Sequence, residues 1–187
     1  MNIAQPAQAA RTFEAHLSFL QRIFGENKQR APWAPLYGAI VAAGRDPFWY
    51  RDGAVPDTID GRFDMVAAAT ALVLLRLEAL GGEGRQPAVL LTELFIDDMD
   101  ASLRQIGVGD YVVGKHVGRM VGALGGRLAA LRAGREQGSL APAVRRNVFH
   151  DAPPSEEAVA AVAGRLERFA EALDAMSLEA LAAGTLP

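Results

Sequence analysis

The stretch from Phe63 to Leu80, FDMVAAATALVLLRLEAL, decides the fold. At helical spacing Val66, Val73, Leu77 and Leu80 fall on one side and Met65, Leu72 and Leu75 on another, so the segment reads as a helix that is apolar nearly all round. Such a helix needs neighbours on every side, which predicts an all-α, single-domain helical bundle with this helix at its centre. Its apolar run, Met65 to Leu75, spans 11 residues broken only by Thr70. That is well short of the roughly 18 or more that cross a bilayer. Arg62 and Asp64 at its start break the pattern and are expected to cap and to form ion pairs.

Working outward toward the N-terminus, GAVPDTIDGRFD (53–64) is a connector whose Pro56, Asp57, Asp60 and Gly61 carry turn and cap chemistry. Three adjacent aromatics, Phe48-Trp49-Tyr50, precede it and are expected to cap the core from a loop. A short helix is expected from Leu36 to Ala43, closed by Gly44 and Pro47. Residues 7–24 place Phe13, Leu17, Leu20 and Phe24 on one face of a further amphipathic helix.

On the other side, Gly81, Gly82, Gly84 and Pro87 are expected to separate the central helix from an acidic one within FIDDMDASLRQIGVGDYVVGK, Phe95 to Lys115. There Glu93, Asp97, Asp100 and Arg104 share one face, while Leu91, Phe95, Met99, Leu103 and Ile106 fill the opposite arc. Asp98 lies at the edge of the apolar arc, where an unpaired carboxylate is costly, so it should have a cationic or hydrogen-bonding partner. Arg62 is one candidate. Gly107 suits a C-cap and Asp110 an N-cap, which makes a tight corner into the next helix. Nothing in that physics requires the carboxylates of Asp97, Asp98 and Asp100, which are either a solvated face or a binding surface.

The helix after that corner, Tyr111 to about Leu131, carries Gly114, Gly118, Gly122 and Gly126 at four-residue intervals. Each interior glycine costs roughly 0.5–1 kcal/mol relative to alanine, so the row implies a close approach by another backbone or a helix that is not stable alone. Lys115, His116, Arg119 and Arg127 are interleaved with it and exclude a lipid-facing role. Ala143 to Phe149 reads as a short helix or loop, Asp151 to Pro154 as a break, and Ser155 as the N-cap of a C-terminal amphipathic helix within 155–183. Its apolar face is Val159, Val162, Leu166, Phe169, Leu173 and Met176.

The chain of 187 residues is long enough for one domain with a sizeable core. A net charge of −3 gives no global field toward nucleic acid, and the absence of cysteine excludes disulfides and thiolate metal sites. No secretory signal pattern opens it. His16, His116 and His150 form no paired-histidine motif, and no phosphate loop or nucleophile elbow is present. No cofactor is implied. Two rival readings remain: a small metal-dependent enzyme built on Asp97, Asp98 and Asp100, and an interaction module of some other membrane complex.

Three blocks resemble the ubiquinol-cytochrome c chaperone family: Leu36-Tyr37-Gly38-Ala39-Ile40-Val41, VPDTIDGRFDM from Val55 to Met65, and the Phe95 to Lys115 stretch. A looser match continues through Gly126-Arg127 and Arg146-Asn147, so that 36–148 is covered. The chain departs from the family at Ala69, where many members have a histidine, and at Leu124-Gly125, where they have an extra aromatic. The resemblance implies an all-helical, non-enzymatic assembly factor whose client is cytochrome b or another respiratory-complex subunit, with room for a helper protein or the ribosome as a further partner. It implies partner-binding roles for Arg62, Asp64, Asp97, Asp98, Asp100, Arg104, Asp110 and Lys115. Composition favours a bacterial homologue, expected in the cytoplasm and with room for peripheral contact at the inner membrane.

Overall fold

The computed structural model describes residues 29–105 and 113–187, with the backbone alone for 102–105, 113–117 and 119. The expected helix over 7–24, the corner at Gly107 to Asp110, and the side chains of Arg104 and Lys115 lie outside the described residues. The chain divides into two units, Met1–Pro32 and Trp33–Pro187, and the second is the helical body described below.

Its elements in order are α1 (Ala34–Gly44), α2 (Pro47–Arg51), α3 (Ile59–Ala79), α4 (Gly82–Gln105), α5 (Val113–Glu136), α6 (Ala141–Asn147), α7 (Glu156–Asp174) and α8 (Leu178–Ala182). All regular structure among the described residues is helical. The all-round apolar sequence of α3 has the expected result: α1, α4, α5 and α7 pack on it. Met65, Ala67, Ala71, Leu72, Val73 and Leu77 lose all contact with solvent. Thr70, the polar residue in that run, returns its hydroxyl to the Val66 carbonyl at 2.8 Å and so needs no outside partner.

Three boundaries differ from the sequence reading. The aromatic run is helical rather than a loop, because the Asp46 carboxylate caps it by accepting the Phe48 N–H at 2.8 Å and Pro47 suits the first turn. Trp49 is buried there, its indole N–H donating to the Ala43 carbonyl at 2.7 Å. The start of α3 moves back to Ile59, since the Thr58 hydroxyl accepts the Gly61 N–H at 3.1 Å and nucleates the turn inside the connector. Gly84 and Pro87 stand within α4 rather than before it. A Cβ on Gly84 would sit 1.8 Å from the Leu77 carbonyl oxygen, so this glycine marks the close passage of α4 over the end of α3.

The glycine row of α5 overturns one expectation. An added Cβ at Gly118, Gly122, Gly125 or Gly126 meets nothing within 4 Å, and these residues are exposed. Among the described residues no backbone comes close to this face. The helix is instead anchored by its other side, where Met120, Leu124, Ala130 and Leu131 are buried. At the C-terminal end the sequence reading holds: Ser155 caps α7 by accepting the Ala158 N–H at 3.2 Å, and Val159, Val162, Leu166 and Leu173 enter the core. Arg76 of α3 then donates from Nε and Nη2 to the Met176 carbonyl at 3.0 and 2.6 Å.

Candidate functional site

Asp64 enters α3 one turn after the cap, where the helix has already passed under its neighbours, and its carboxylate is 3% exposed. A bare carboxylate there would be untenable, and two side chains from distant elements answer it. Arg127 of α5, itself buried, donates from Nη2 to Asp64 Oδ1 and to the Asn147 carbonyl at 3.3 Å, and from Nη1 to the Ala123 carbonyl at 3.2 Å. Its guanidinium lies 5.3 Å from the centre of the Phe63 ring. His150, just beyond α6, places Nε2 at 2.8 Å from Asp64 Oδ2. Burial pushes the Asp64 carboxyl above its ordinary value, and the Arg127 charge and the His150 hydrogen bond pull it back only in part.

His150 and Asp151 both adopt left-handed backbone, with φ of 49° and 62°. Such conformations in residues other than glycine cost of order 1–3 kcal/mol each and persist where surrounding contacts enforce them. Here the bond to Asp64 and the Asp151 N–H, which donates to the Arg145 carbonyl at 3.0 Å, hold the corner. The corner forms one lip of a cavity of about 560 Å3 whose walls are Pro56, Thr58, Gly61 and Phe63 on one side and Ala123, Arg127 and Val148 on the other. Gly61 is required at its base, since a Cβ would lie 2.0 Å from the Pro56 carbonyl oxygen.

Among the expected partner-binding residues whose side chains are described, the structure brings Asp64 into this cluster and leaves Arg62, Asp97, Asp98 and Asp100 apart from it. Arg62 is exposed and turns to Asp57 at 2.6 Å, which holds the Asp57 carboxyl below its usual range. The expected Arg62–Asp98 contact is therefore replaced, because the connector supplies a nearer carboxylate. Asp98 instead accepts from the Tyr37 hydroxyl of α1 at 2.8 Å, which meets the need for a hydrogen-bonding partner, and the Tyr37 hydroxyl is pushed up by burial and by that carboxylate. Leu91, Phe95 and Met99 are buried as the apolar arc of α4, while Asp97 is exposed and Asp100 half-buried. No group of three or more His, Cys, Asp or Glu side chains among the described residues comes together as a metal site. Asp110 lies beyond what is described. Arg127 and His150 went unmarked as site residues because their partner is 63 and 86 residues away in sequence.

An all-helical body built on one buried helix, with an ion-paired cavity at that helix's start, is the class of protein these observations define. The family model for ubiquinol-cytochrome c chaperone matches residues 51–186. The chain belongs to the ubiquinol-cytochrome c chaperone family. It is similar to the crystal structure of the Cbp3 homolog from Brucella abortus, with 30% sequence identity and a TM-score of 0.74 over 91% of this chain and 94% of that one. No curated protein matches the chain. Among the described residues no helix is long and apolar enough to cross a membrane.

Proposed function

We propose that this protein is a non-enzymatic assembly factor that holds cytochrome b while ubiquinol-cytochrome c reductase is built. The observation that carries the reading is a face of α5 that no described residue covers. Gly118, Gly122, Gly125 and Gly126 lie on it with Val121, which is 43% exposed. Small residues at four-residue steps let a second helix bring its backbone close, which is how helices associate inside membranes. A water-soluble body that offers such a face gives an apolar segment of a membrane protein a partner before it reaches lipid. The carboxylates Asp97, Asp98 and Asp100 on α4, together with Arg62, Arg104, Asp110 and Lys115, complete the proposed partner surface by pairing with charged loops of the client. The reading extends to action in the cytoplasm with peripheral contact at the inner membrane.

The test is the level of haem-loaded cytochrome b and of reductase activity in membranes of cells lacking the gene, and of the same cells carrying the wild-type gene, Gly122→Leu, or the Asp97/Asp98/Asp100 triple alanine variant. Both readouts should fall on deletion and return with the wild type. Variants that fold but restore neither place the client on these surfaces. Unchanged readouts on deletion would refute the cytochrome b reading and turn attention to the subunits that co-purify with the protein.

A further inference from the structure

We draw no further inference here: the strongest candidate, the exposed face of α5 that carries Gly118, Val121, Gly122 and Gly125, belongs to the client surface already proposed, and nothing among the described residues shows what covers it.

Discussion

Asp64 and Arg127 protect each other from being buried alone, so their substitutions should be strongly non-additive. Arg127→Leu leaves an uncompensated carboxylate and should cost about 3–5 kcal/mol in urea unfolding, whereas Asp64→Leu combined with Arg127→Leu should recover most of that loss. The same carboxylate sets a pH dependence. Its folded value is raised above the ordinary 3.8, so the folded state holds the proton more tightly than the unfolded one. Its contribution to stability is therefore full at pH below 3.8 and declines as pH rises from there through the folded value. Unfolding of wild type and Asp64→Asn across that range should show the decline in the wild type and its absence in the variant. Sequence marked Asp64 as an exception in an apolar helix, which is a local signal. Its partners were not legible, because a contact between residues so far apart is made by packing and has no spacing to read.

Elements were legible where periodicity alone sets them and obscure where a glycine or proline acts in two ways. In α3 and α7 the apolar spacing gave the buried residues directly, while which helices cover them came only from the packing. In α4 the same residues that usually break a helix are tolerated near its start, where Pro87 removes one backbone bond and Gly84 lets α4 cross Leu77. The glycine row of α5 is compatible with a close approach by another backbone or with a helix that is not stable alone, and only the neighbours decide. Opposite outcomes follow for the same substitution. Gly84→Ala should destabilise by about 1–3 kcal/mol through the clash with the Leu77 carbonyl. Gly126→Ala, with open space around it, should stabilise by about 0.5–1 kcal/mol. Thr58→Ala, which removes the cap of α3, should cost about 1 kcal/mol. Thermal melts of the three variants check the signs.

The body from Trp33 to Pro187 is organised by a helix that cannot exist in water by itself, and each neighbour is there to cover part of it. The C-terminal helix α7 supplies Val162, Leu166 and Leu173 to that cover, and Arg76 ties the turn after it to α3 through the Met176 carbonyl. A chain ending before Ser155 would leave that side of α3 bare, and gel filtration should find it aggregated rather than monomeric. The all-helical class and the central helix could be read from sequence because a segment apolar on every side has few stable solutions. The cavity could not be, since it is formed where the start of α3, the middle of α5 and the residues just after α6 meet, and no one of these segments records the others.

Leu181 of α8 is wholly buried, α8 packs on α1, and a Cβ at Gly184 would touch the Pro35 carbonyl at 2.7 Å. The earliest helix of the body thus waits for the latest. During synthesis the chain can form α3 and gather α4 and α5 around it, but the enclosure stays unfinished until Leu181 has emerged from the ribosome. A protein proposed to hold another chain during assembly thus closes its own core only when a late segment docks onto an early one.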